Sequence, residues 1–149
     1  MPLPKLLETF AASRGVRDVS DRAWKDGRTL SVTGLAGSAR SLTIAHLHGQ
    51  SSGPSLAVVD GTEAAEQLRD DLISLVGESS VFLFSDWELL PYEHLSPDVE
   101  VTGSRIQTLD ALVRGESVIV VAPIHGLMRR TLPKETMVAA TLRLKTGDL

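Results

Sequence analysis

The chain has 149 residues, of which 42% are apolar and 23% charged, with no cysteine and a formal net charge of −4. These values describe one folded domain and exclude a disordered chain, a disulfide framework, a thiolate metal site and a thiol nucleophile. The negative charge argues against a generic nucleic-acid coat, and no apolar run approaches the roughly 18 residues of a membrane span. The opening Met1-Pro2-Leu3-Pro4 stretch also lacks the apolar run of a secretory signal, so a cytoplasmic protein without a membrane partner is expected.

Lys5–Ala12 reads as a helix, followed by a polar lead-in containing Gly15 and Gly27. Four short β-branched runs come next, at Leu30–Thr33, Ser55–Val59, Val81–Phe84 and Ser117–Val121, and most are continuously apolar, as strands covered on both faces are. A helix is predicted from near Ser38 to Gly49. From Thr62 to Val76, Ala65, Leu68, Leu72, Leu75 and Val76 share one helical face, while Glu63, Glu66, Arg69 and Asp70 point away. Asp60, three residues before Glu63, predicts a cap, and Gly77 a stop. Ser96-Pro97 opens a further helix with Val99, Ile106, Leu109 and Leu112 as its buried face and Gly115 as its end. Gly103 inside it costs about 1 kcal/mol against alanine. A short helix follows Pro123 and ends before Pro133, and Thr136–Leu144 reads as a new strand. This alternation predicts an α/β fold, a three-layer, doubly wound parallel sheet. The late strand and the turn at Lys145–Asp148 point to a chain cut from a larger protein.

Gly34-Leu35-Ala36-Gly37-Ser38-Ala39-Arg40-Ser41 joins the first strand to its helix in the frame of a phosphate-binding loop, G-x-x-x-x-G-K-[ST]. Such a loop wraps phosphates with backbone N–H groups, reaches them with a lysine and holds magnesium through a hydroxyl. Here Ala39 replaces the second framework glycine and Arg40 the lysine, while Ser41 remains. A weak anion site and a turn that merely packs helix on sheet are both open. Asp60 and Asp86 end apolar runs, as a metal-holding aspartate does, yet a helix cap and a turn explain them as simply. His46 and His48 are two apart and diverge, His94 and His125 stand alone, and Arg129, Arg130 and Lys134 form a small basic cluster. No catalytic residue and no metal ligand emerges.

The loop Asp86-Trp87-Glu88-x-Leu90-Pro91-Tyr92-Glu93, continued by Ser96-Pro97, resembles the N-terminal module of bacterial transcription-repair coupling factors (Mfd). Gly34–Arg40 resembles that family's decayed phosphate loop. Ser104-Arg105-Ile106-x-x-Leu109 with Val118–Pro123, and Leu127-Met128-Arg129-Arg130 with Pro133, resemble its following segments. The likeness runs from about Thr29 to Leu149. It implies a UvrB-like, helicase-type α/β scaffold whose signature residues are Asp86, Trp87, Glu88, Pro91, Tyr92, Ser96 and Pro97. Gly34, Gly37, Ser38, Ala39, Arg40 and Ser41 would be its vestigial phosphate loop. It further implies a lead-in over residues 1–27, a first subdomain over 28–137 and the start of a second over 138–149. The family recruits UvrA mainly through that second subdomain, and it touches RNA polymerase and DNA through other parts. ATP and magnesium belong to its motor, so this stretch is expected to hold no cofactor and to be no enzyme. The rival expectations are a small nucleotide-binding or ATPase domain using Gly34–Ser41, and a DNA-binding module using Arg129, Arg130 and Lys134.

Overall fold

A computed structural model describes residues 4–25, 29–87 and 99–142. Three strands form one parallel sheet in the order β1 (Ser55–Val59), β3 (Ile119–Pro123), β2 (Val81–Leu83). The central strand pairs Ser55 with Ile119 on one side and Val81 with Ile119 on the other. All five β3 residues are buried, as its unbroken apolar run requires.

Side chains alternate across β3 and divide the core in two. Ile119 and Val121 face α3 (Ala39–Gly49) and α4 (Thr62–Val76), where they meet Leu42, Ala45, Leu68, Leu72 and Leu75. Val118, Val120 and Ala122 face the other way, towards Ala111 of α5 (Val99–Val113) and Leu127 of α6 (Ile124–Leu127). The result is helix, sheet, helix: the α/β layering expected from the alternating pattern. The second face is covered unevenly. Leu56 and Val58 of β1, in register with Val120 and Ala122, stay 58% and 48% exposed, because α5 packs on β2 and does not reach the β1 edge.

Helix α4 has the predicted bounds, and its Ala65, Leu68, Leu72 and Leu75 are buried. Its cap differs from expectation. Gly61, in extended backbone, takes the cap position without a side-chain bond, which leaves Asp60 one residue too early. Gly77 ends the helix at φ 95°, ψ 153°, backbone that glycine alone adopts freely.

Several other elements depart from the sequence reading. Residues 30–33 form no strand; Leu30 and Val32 are 38% and 37% exposed, and the segment pairs with neither outer edge of the β1-β3-β2 sheet. The polar lead-in contains a second N-terminal helix, α2 (Arg14–Ala23), behind α1 (Pro4–Ala11). It is strongly polar but sets Val16 and Ser20 inwards, a face too narrow to stand out in the pattern. The stretch expected as the strand Thr136–Leu144 begins instead within the helix α7 (Lys134–Ala140), which Met137 fixes through burial beside α5, while its last two residues and the expected turn at Lys145–Asp148 lie outside the described residues. The buried face of α5 is Arg105, Thr108 and Ala111, while Val99 and Ile106 are 85% and 45% exposed. Small and hydroxylated residues let the helix approach β2 closely: Ser104 donates to the Leu83 carbonyl at 2.7 Å and Thr108 to its own Ser104 carbonyl at 2.9 Å.

Candidate functional site

The glycine loop leads directly into α3. Gly34 and Gly37 take positive φ, 81° and 54°, which allows the chain to reverse, and the Ala39 N–H donates to the Ala36 carbonyl at 3.1 Å. Ser38 occupies the cap position of α3, and Arg40 is exposed. Ser41 is not free. It is 1% exposed, and its Oγ lies 3.0 Å from both the Ser38 carbonyl and Asp71 Oδ2 of α4. A shallow depression of about 650 Å³ beside the loop is lined by Ser38, Arg40 and Ser41 but also by Asp70 and Asp71. Asp70 is paired with Arg69 at 2.8 Å, so Asp71 is the carboxylate turned to the loop hydroxyl. A phosphate entering here would meet that carboxylate at short range, where like charges repel.

A second cluster forms where β2 and β3 end, the side of a parallel sheet on which α/β proteins gather their functional groups. Its centre is Arg105, 4% exposed and brought in on the buried face of α5. Its Nη1 donates to the Ser85 carbonyl at 2.6 Å and to the Gly126 carbonyl at 3.3 Å. Its guanidinium lies over the Phe84 ring at 3.9 Å and near the Trp87 ring at 5.1 Å, cation–π distances. Burial lowers the Arg105 pKa from its usual value and Arg129 pushes the same way, while Asp86 opposes them. Asp86 Oδ1 accepts from the Trp87 backbone N–H at 2.8 Å and from Arg129 Nε at 3.4 Å. One arginine therefore ties the strand-β2 exit, α5 and α6 into a single unit.

The structure thus joins Asp86 and Trp87, two of the signature residues, to Arg105 and Arg129. Glu88, Pro91, Tyr92, Ser96 and Pro97 lie outside the described residues, as does His94. Arg129 is turned to Asp86, whereas Arg130 and Lys134 are exposed, so the basic cluster does not act as one patch. His46 Nε2 lies 2.9 Å from Ser20 Oγ and His48 Nδ1 2.9 Å from Ser55 Oγ, in line with their expected divergence. Burial lowers the His48 pKa. Among the described residues, no group of three or more acidic or histidine side chains is placed to hold a metal, and no helix is long and apolar enough to cross a membrane.

The Arg105 hub was not singled out by pattern reading, although a signal was present. Arg105 stands four residues before Leu109 and seven before Leu112, on the face those leucines define. An arginine on that stripe has to be either a defect or a buried anchor.

No protein-family profile matches the chain. It is 30% identical over 116 residues to the transcription-repair-coupling factor of Bacillus subtilis, a stretch that covers 78% of the chain and 10% of the relative. The Haemophilus influenzae transcription-repair-coupling factor is 33% identical over 110 residues, 74% of the chain and 10% of the relative. The one from Escherichia coli is 29% identical over 114 residues, 76% of the chain. The chain therefore spans about a tenth of the length of these curated relatives.

Proposed function

We propose, on the premise that the chain belongs to the transcription-repair-coupling factor family, that it is a non-catalytic scaffold in the N-terminal region of such a factor. In this reading residues 28–137 are a helicase-type, UvrB-like first subdomain, and the glycine loop is a phosphate loop that has lost its purpose. The scaffold holds an adjoining second subdomain, starting near residue 138, that recruits UvrA during transcription-coupled excision repair. It also packs against an ATP- and magnesium-dependent DNA translocase elsewhere in the protein, which acts on stalled RNA polymerase in the cytoplasm.

The observation that carries the non-catalytic reading is the Ser41–Asp71 contact. A hydroxyl that must hold magnesium beside a triphosphate is here bonded to a carboxylate from the next helix. Arg40, in the lysine position, is exposed and does not supply a compact ammonium. The rival ATPase reading would need the loop to open and Asp71 to leave.

The test is calorimetric titration of Mg-ATP into the natural chain and into an Ala39→Gly/Arg40→Lys variant. The expected result is no heat of binding from either, because the substitutions leave Asp71 in place. Saturable binding by the natural chain, or phosphate release, would overturn the scaffold reading in favour of a nucleotide-binding domain.

A further inference from the structure

Helix α2 is tied to the second half of α3 at two points. At the first, Ser20 Oγ of α2 lies 2.9 Å from His46 Nε2 and 3.0 Å from its own Val16 carbonyl. At the second, the Trp24 indole N–H donates to Gln50 Oε1 at 3.1 Å, and Gln50 Nε2 lies 3.2 Å from the same His46 Nε2. An indole N–H can only donate, so it fixes the Gln50 amide with its oxygen towards Trp24 and its NH2 towards His46. An amide NH2 can only donate in turn. His46 Nε2 must therefore accept, which makes the ring neutral with its proton on Nδ1. No charged side chain among the described residues bonds to His46. On α2, Asp18 and Arg22 pair with each other at 3.1 Å, and Arg17 and Asp21 are exposed, as are Lys5 and Glu8 of α1. Asp71 of α4 is turned to Ser41, and His48 of α3 to Ser55. The state of His46 is thus read by Ser20 and Gln50.

We infer that His46 is a proton-operated latch: neutral, it fastens the Trp24 end of α2 to α3, and protonated, it releases that end while it keeps Ser20. The two partners respond differently to a proton on Nε2. The Ser20 hydroxyl can reverse, turning its hydrogen to the Val16 carbonyl and accepting from Nε2–H with its oxygen. Gln50 has no such alternative. Turning its oxygen to His46 would set its NH2 against the Trp24 indole N–H, and keeping its present orientation sets that NH2 against Nε2–H. Gln50 therefore leaves His46. Its remaining bond joins two exposed side chains, Trp24 at 56%, where water competes on nearly equal terms, so Trp24 is freed as well. Protonation exchanges one anchor of α2 for the other.

The test is ¹⁵N NMR of the full chain between about pH 8 and pH 5, the range in which histidines change charge. The Trp24 indole N–H and the Gln50 side-chain NH2 are the reporters, and the buried Trp87 indole N–H is the internal reference. At the upper end the His46 ring nitrogens should show the Nδ1–H tautomer. As the pH falls, the Trp24 indole proton should shift upfield and the Gln50 NH2 should move with it, both with the midpoint of the His46 ring itself and with Trp87 unmoved. His46→Gln keeps an uncharged acceptor and should abolish the movement. His48→Gln, at a ring turned to Ser55, should leave it intact. A Trp24 resonance constant over the range would overturn the latch. So would a movement that persists in His46→Gln or vanishes in His48→Gln. An Nε2–H tautomer at the upper end, read on the natural chain alone, would overturn it too, because Gln50 could not then donate to that nitrogen.

Discussion

Replacing Arg105 by methionine keeps most of the side-chain length and apolar stem while it removes the charge and every donor. Two carbonyls lose their partner: Ser85, bonded at 2.6 Å, and Gly126, bonded at 3.3 Å. A short bond from a charged donor contributes about 1.5–3 kcal/mol and a long one about 0.5–1 kcal/mol. The stacking on Phe84 at 3.9 Å adds about 1–2 kcal/mol in so dry a position. Against this, the variant no longer has to strip water from a guanidinium, a relief of at least about 1–2 kcal/mol. The balance is a loss of about 2–4 kcal/mol, a large share of the roughly 5–15 kcal/mol that holds a typical domain. Urea unfolding followed by circular dichroism measures it, with the exposed neighbour Gln107→Met as a control expected to stay within about 0.5 kcal/mol. Arg105→Lys should fall between the two, because an ammonium cannot serve both carbonyls and stack flat on Phe84. A loss below about 1 kcal/mol for Arg105→Met would refute the reasoning, since desolvation would then outweigh the bonds and Arg105 would not be the anchor of this end of the sheet.

Leu72 is 0% exposed at the centre of the α4 face, so Leu72→Ala should cost about 3–5 kcal/mol, read from the urea midpoint at unchanged slope. Gly77→Ala forces a Cβ onto φ 95°, ψ 153° and should cost about 1–3 kcal/mol in the same assay; an unaltered midpoint would mean the α4 exit has another conformation. His48 has its pKa lowered by burial, so the unfolded chain binds its proton first as the pH falls through the usual 6.5. Stability should therefore be constant above that pH and decline below it, and His48→Gln should flatten the decline in a pH series of thermal melts. A decline of equal slope in the variant would assign it to other groups.

Local pattern carried far in some segments and failed in others for definable reasons. The α4 helix is legible to the residue, because fifteen residues of 3.6-residue periodicity end at a glycine whose backbone other residues adopt only under strain. The central strand was legible because a run of isoleucine, valine and alanine has no other place than between two covered faces. The β-branched run at residues 30–33 is equally strand-like in pattern, but a strand exists only where it pairs, and this run docks on neither open edge of the β1-β3-β2 sheet. Pattern does not fix the short α7, because seven residues with threonine, methionine and valine suit either period until Met137 is buried beside α5.

The glycine loop shows the same division at the level of chemistry. Its spacing, the lost lysine and the retained serine are plain in the sequence. That Ser41 is bonded to Asp71, thirty residues away, is decided only when α3 packs on α4. Likewise, the sequence alone identifies Asp86 and Trp87 as unusual loop residues and places an arginine on the leucine stripe of the following helix. Whether that arginine points to water or between Phe84 and Trp87 depends on how closely Ser104 and Thr108 let the helix approach β2. Periodicity and turn chemistry are properties of neighbours along the chain, so sequence alone determined the strongly patterned elements, α4 and β3 among them, and the layered class. Pairing of charges, occupancy of hydroxyls and the rotation of a helix are properties of neighbours in space, and only the packed structure decided them.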